Sequence, residues 1–153
     1  MMEPSDLNFN KTKITIKTKN NMTNTRITPE WIITLKPNEI FVFGSNLAGR
    51  HAGGAACIAT DKFGAEWGVG VGRTGQTYAI PTMQGGVDTI RPYVDDFIEY
   101  ATQHPELNFL VTRIGCGIAG FRDVDIAPLF AKCKDMLNVW LPHTFLIVLS
   151  NNE

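Results

Sequence analysis

Three short apolar segments of this chain each run straight into a stretch of glycine and small polar residues. Glu39-Ile40-Phe41-Val42-Phe43 leads into Gly44-Ser45-Asn46, Thr77-Tyr78-Ala79-Ile80 into the segment Pro81–Gly86, and Asn108-Phe109-Leu110-Val111-Thr112 into Gly115–Gly120. All 14 glycines lie between Gly44 and Gly120, so backbone freedom is concentrated in the middle of the chain. Short apolar runs closed by such segments read as strands. When helical segments separate them, the expected architecture is a layered α/β domain.

The helical segments are legible from their caps and spacing. Thr28-Pro29-Glu30-Trp31 has a good N-cap, a proline at the first helical position and an acid at the positive end of the dipole; it predicts a helix ending near Lys36-Pro37. A small-residue helix is expected from Gly53 to Phe63, followed by a glycine-rich loop over Gly64–Gly75. Val94, Phe97, Ile98 and Ala101 give the apolar stripe of a helix over Thr89–Gln103. Asp123 or Asp125 can cap another, with the stripe Ile126, Leu129, Phe130, Cys133 and Leu137. Thr144-Phe145-Leu146-Ile147-Val148-Leu149 is a continuous apolar run and reads as a strand covered on both faces. The sum is a three-layer α/β/α domain over residues 28–153 with a mostly parallel or mixed central sheet. Residues 1–27 form a polar tail that is disordered or, through the alternation Lys13-Ile14-Thr15-Ile16-Lys17-Thr18-Lys19, an edge strand.

Composition narrows the function classes. A length of 153 residues, 44% hydrophobic and 19% charged, suits one globular domain. A net charge of -1 lacks the footprint of a general nucleic-acid binder, although Lys11, Lys13, Lys17 and Lys19 give the tail a basic character. Cys57, Cys116 and Cys133 are too few and odd in number for a disulfide framework, which predicts a reducing, cytoplasmic setting. No membrane span, metal-ligand spacing or cofactor motif is evident.

In open α/β sheets, ligands bind outside the carboxyl ends of the strands. The glycine loops at those ends can turn backbone N–H groups toward a phosphate near a helix N-terminus. Gly70-Val71-Gly72-Arg73-Thr74-Gly75 has a dinucleotide pattern but precedes a strand. Gly115-Cys116-Gly117-Ile118-Ala119-Gly120 has the right context but lacks the ribose-binding acid about 20 residues on. Gly44–Gly49 begins like a P-loop yet continues Arg50-His51, without the lysine and hydroxyl that nucleotide hydrolysis needs.

At these loops the sequence resembles the macrodomain superfamily, modules that bind ADP-ribose and related nucleotides. Phe41-Val42-Phe43-Gly44-Ser45-Asn46, with Gly49 and Gly53-Gly54-Ala55-Ala56, is similar to the family's first signature. Arg113-Ile114-Gly115-Cys116-Gly117-Ile118-Ala119-Gly120 is similar to its second, nearest the branch that removes ADP-ribose from carboxylate side chains or DNA bases. The resemblance spans roughly residues 39–149. It implies ADP-ribose binding through Gly44, Ser45, Asn46, Gly49, Arg50, Gly53, Gly54, Gly115, Cys116, Gly117, Ile118, Ala119, Gly120 and Phe121, with Asn46 toward the distal ribose. An ADP-ribosylated macromolecule is a further implied partner. Two departures count against turnover: Ala119 stands where that branch has an acid, and Thr82-Met83-Gln84 where some members have a catalytic lysine. A hydrolase would then rest on Asn46 and a positioned water, with His51 or an aspartate assisting. A third reading is an interaction module that keeps the fold without the ligand.

Each residue also has a plainer role available. Asn46 can cap its turn. Cys116 can be the small residue a tight loop needs rather than a nucleophile. His51 can cap a helix or face solvent rather than serve a phosphate. Arg50 and Arg73 can partner a diphosphate or be simply solvated, and Asp123 and Asp125 can be helix caps. Phe121, Trp67 and Tyr78 can stack on a ligand or pack in the core.

Overall fold

The computed structural model describes residues 26–152. The alternation expected of the Lys13–Lys19 stretch lies outside them. Five strands form one sheet: β1 (Glu39–Ser45), β2 (Gly72–Thr74), β3 (Thr77–Pro81), β4 (Asn108–Val111) and β5 (Val139–Trp140). The order across the sheet is β2-β3-β1-β4-β5. β1 pairs in parallel with both β3 and β4, β4 pairs in parallel with β5, and β2 is antiparallel to β3. The sheet is therefore mixed, with a parallel centre.

Strand alternation sends successive side chains to opposite faces. From β1, Ile40 and Val42 join the larger core, and Phe41 and Phe43 the smaller one. Helix α1 (Gly54–Phe63) covers the smaller face through Ala56, Ala59 and Phe63. The larger face is covered by α2 (Val87–Gln103), the short α3 (Asp123–Ile126) with the 3₁₀ segment Ala127–Asp135 that continues it, and α4 (His143–Asn151). Helices thus flank the sheet on both sides. No helix among the described residues is long and apolar enough to cross a membrane.

Two expectations fail, each for a physical reason. Residues 28–36 are an irregular strap with a bend at Glu30 and Trp31, not a helix. The β-branched run Ile32-Ile33-Thr34 is a weak helix former, and a helix this short is marginal alone. The chain is instead drawn to the sheet edge, where Ile27 bridges Leu141 in parallel and the Thr28 amide donates to the Leu141 carbonyl at 2.9 Å. Ile32 and Leu35 then pack on the smaller core. The run Thr144–Leu149 is helical, within α4, rather than a strand. A short apolar run does not distinguish a buried strand from a buried helix. Here Phe145 and Leu149, four apart, face the core while Ile147 is exposed. The sheet position is taken by Val139–Trp140.

Smaller differences follow the same logic. The glycine segment Gly64–Gly75 contains β2, and α2 begins two residues before the expected Thr89. Of the stripe after Asp123, Ile126, Leu129, Phe130 and Cys133 are buried, but Leu137 is 79% exposed because the helix has ended at Asp135.

Phe97 is the hub of the larger core, with its ring 5.2 Å from Tyr78, 5.5 Å from Phe109 and 6.2 Å from Phe130. It is fully buried. Replacing it by Ala should cost about 3–5 kcal/mol through lost transfer energy and the cavity left behind. Urea unfolding should show this as a lower midpoint at unchanged slope.

Candidate functional site

The loops after β1 and β4 lie side by side because those strands are adjacent and parallel. Between them is a cleft of about 340 Å³. Its walls hold Gly44, Ser45, Asn46, Arg50, Gly53 and Gly54 from the first loop, and Gly115, Gly117, Ile118 and Ala119 from the second. Ala52, Thr82, Met83, Thr112 and Arg113 complete much of the lining. These last five are not among the site residues that the sequence suggests, although Arg113 directly precedes the second glycine loop.

The first loop is braced from behind. The Asn46 side chain closes it on itself, accepting from the Arg50 amide at 2.8 Å and donating to the Arg50 carbonyl at 2.9 Å. Ser45 donates through its hydroxyl to the Gly70 carbonyl at 2.6 Å, and the Gly68 amide donates to the Gly49 carbonyl at 2.8 Å. The contact leaves no room for side chains. Gly49 has φ +71°, and a Cβ there would lie 2.3 Å from the Gly68 carbonyl carbon; a Cβ on Gly70 would lie 2.2 Å from the Asn46 oxygen. The segment Gly64–Gly75 is thus the buttress of the first loop.

His51 belongs to that buttress and not to the cleft. It is 2% exposed, and its Nε2 lies 3.1 Å from the Glu66 carbonyl and 3.0 Å from the Val69 carbonyl. Two carbonyl partners require Nε2 to carry the proton and donate. The imidazole also meets Phe43 edge-on at 5.3 Å. The structure thus places His51 as a pin between two loops, outside the lining of the cleft.

The second loop leaves several amides unused. Within it, the amides of Cys116, Gly120 and Phe121 donate to the carbonyls of Arg113, Gly117 and Gly115. The amides of Gly115, Gly117, Ile118 and Ala119 donate to no described residue, and neither do those of Gly54, Ala55 and Ala56 opening α1. All seven of these residues line the cleft. The N-cap of α1, Gly53, offers no side chain to satisfy that helix end.

Four more expected site residues stand behind the lining. Gly49 supports the loop as described. Gly120 closes the turn back to Gly117. Phe121 and Cys116 are half-buried against the larger core. Burial, followed by the nearby Asp123 carboxylate, pushes the Cys116 thiol up to about 11, so it is a neutral thiol at physiological pH and not a poised nucleophile. The remaining candidates are elsewhere: Tyr78 in the core, Trp67 beside His51, and Arg73 donating to the Gly75 carbonyl and the Tyr100 hydroxyl.

Asp123 does more than open a helix. It accepts from Arg113 through both oxygens, at 3.0 and 2.8 Å, and from the Thr144 hydroxyl at 3.0 Å. The hydrogen bond from Arg113 is the main force holding its carboxyl below the ordinary 3.8. Asp125, by contrast, accepts from the Arg122 amide at 3.0 Å and acts as a cap.

A second cavity of about 600 Å³ adjoins the first. Its walls are the strap residues Thr28–Ile33 with Phe41, Ile58, Val111 and Pro142 among others, and it shares Gly54, Ala55, Thr112 and Arg113 with the cleft. Trp31, 81% exposed, stands at its edge. Sequence reasoning misses this cavity because its wall is the strap, which the local pattern presents as a helix. No family model matches the chain, and no curated protein or solved structure matches it.

The thiols give a signed pH dependence. Cys116 is pushed up to about 11 and the buried Cys133 to about 12, both from 9.0. The folded state then keeps protons that the unfolded chain has lost, so this stabilisation is complete below about pH 9 and disappears as pH rises through the folded values. Asp123 acts at the other end: its contribution is present above 3.8 and is lost as pH falls through its lower folded value. Urea unfolding at a series of pH values should show stability falling above about pH 9, with a shallower fall in Cys133→Ala. An alkaline limb equally steep in that variant would contradict the assignment.

Proposed function

We propose that this protein is a macrodomain-like binder of ADP-ribose or a related NAD-derived nucleotide. The observation that carries the reading is the convergence of unpaired backbone amides from two strand-to-helix loops on one cleft. Such amides, next to a helix N-terminus, suit a diphosphate. The adjoining cavity has the apolar walls that a base requires. A nucleotide lying across the shared wall would place its base beneath the strap, its diphosphate on the amides and its terminal ribose toward Asn46.

Binding is favoured over turnover by the chemistry of the cleft. Among the described residues, the only ionisable side chains lining the cleft are Arg50 and Arg113, and a guanidinium does not serve as a proton acceptor; Glu30 and His143 line the adjoining cavity alone. The Asn46 amide already holds the Arg50 backbone on both its oxygen and its nitrogen. The hydroxyls of Ser45, Thr82 and Thr112 bond to backbone carbonyls. An ADP-ribosylated macromolecule is a compatible partner, since Ile118 and Met83 leave an exposed apolar rim at the mouth.

Calorimetry with ADP-ribose, ADP, AMP and NAD tests the reading. ADP-ribose should bind, and Gly117→Val should weaken it by about tenfold or more, a change of about 1.4 kcal/mol. A Cβ at Gly117 meets nothing within 4 Å, so the thermal midpoint of that variant should stay near the parent's. Absence of heat from folded protein at millimolar ligand would refute the proposal.

A further inference from the structure

We propose that Arg113 is the diphosphate-reading residue of this site, and that it works through the fixed orientation of its guanidinium rather than through its charge. The inference rests on the nucleotide-binding reading above. Among the described residues, Arg113 is the one ionisable side chain common to the walls of both cavities. A ligand that occupies both must pass its middle beside this residue. For a nucleotide with its base in one cavity and its terminal sugar in the other, that middle is the linked pair of phosphates.

The guanidinium is held in place from behind. Asp123 accepts from Nε at 3.0 Å and from Nη2 at 2.8 Å, so the pair is bidentate and the fork does not turn freely. Asp123 is itself positioned by the Thr144 hydroxyl, from the first turn of α4. The acid side chain is 22% exposed and that of Arg113 54%. A guanidinium has five N–H donors in a planar fork. Two go to Asp123, and the Nη1 pair and the second Nη2 hydrogen are left for a ligand. Cys116, also beside Asp123, stays a neutral thiol, so it adds no second anion.

The pairing has an electrostatic consequence. Arg113 and Asp123 together carry no net charge, so what the pair offers an anion is directional hydrogen bonding. Arg50, in the wall of the cleft alone, has no side-chain partner among the described residues. It supplies the uncompensated positive charge. The two arginines therefore differ in kind: one gives geometry and the other attraction.

The test compares binding of ADP-ribose and AMP to the parent, Arg113→Lys, Arg113→Gln, Asp123→Asn and Arg50→Gln, at low and high salt. A lysine keeps the charge and loses the fork. Arg113→Lys should thus lose about as much ADP-ribose affinity as Arg113→Gln, roughly tenfold, with a smaller loss for AMP. Asp123→Asn should fall between parent and Arg113→Gln, because Asp123 is a positioning residue. Arg50→Gln should flatten the salt dependence, whereas Arg113→Lys, which keeps the charge balance with Asp123, should leave it near the parent's. Full affinity in Arg113→Lys with loss in Arg113→Gln would show a charge role and overturn the proposal. So would equal losses for AMP and ADP-ribose. A parent protein that binds neither ligand would overturn the nucleotide reading itself, and this inference with it; parent-like binding by Arg113→Gln overturns the inference alone.

Discussion

A strand paired in parallel on both sides cannot reach either neighbour through a tight turn. The chain must leave its carboxyl end, cross a face of the sheet and return to the far end. β1 is placed in this way, with β3 and β4 as its two parallel partners. The connection to β3 carries α1 over one face, and α2, between β3 and β4, covers the other. The loops after β1 and β4 are consequently neighbours, and the helices that diverge behind them leave a crevice. The register places Val42 opposite Val111, the last residue of β4, while β1 continues beside β3 to the pair Ser45 and Pro81, so the second loop leaves the sheet earlier and runs past the end of β1.

The glycines that line this crevice and those that build its support obey different constraints. Gly49 and Gly70 allow two backbones to touch, and any side chain there would collide with main chain that has nowhere to move. Gly117 faces open space and its absent side chain leaves room beside unpaired amides. Composition alone cannot separate these uses. The string Gly70–Gly75 has the outward form of a dinucleotide loop, yet its conformation serves Asn46 and Leu47 across the gap. Its link to the cleft is indirect: it fixes the loop whose far side forms the cleft wall.

The strands β1, β3 and β4 were legible because each is a short apolar run with a sharp end. The two glycine loops were legible as one edge because parallel strands collect their carboxyl ends together. What local pattern could not resolve was competition with the sheet edge. Thr28-Pro29-Glu30 has the composition of a helix start, but Arg26 donates to the Met136 and Lys134 carbonyls, and the backbone of Ile27 and Thr28 lies along Leu141. Those tertiary bonds outweigh a short helix of β-branched residues. The error at Thr144–Leu149 is of another kind: a continuous apolar run reads equally as a buried strand or a buried helix, and its fully packed residues, Phe145 and Leu149, fall four apart. The second cavity, built by the strap, was lost to the misreading of the strap.

His51 and Arg113 show why residue type is a poor guide to role. A histidine beside a glycine loop invites a proton-transfer reading, but two backbone carbonyls converge on its Nε2 and commit it to structure. An arginine before a glycine loop invites little comment, yet it stands in the wall that the two cavities share. Neither contact could be inferred from spacing, because the partners lie 15 and 18 residues away for His51 and 10 away for Arg113. The contrast also explains the character of the cleft. The wall shared by the two cavities carries a guanidinium balanced by a buttressed carboxylate, whereas Arg50 in the cleft keeps its charge, and Glu30 and His143 stand in the walls of the adjoining cavity.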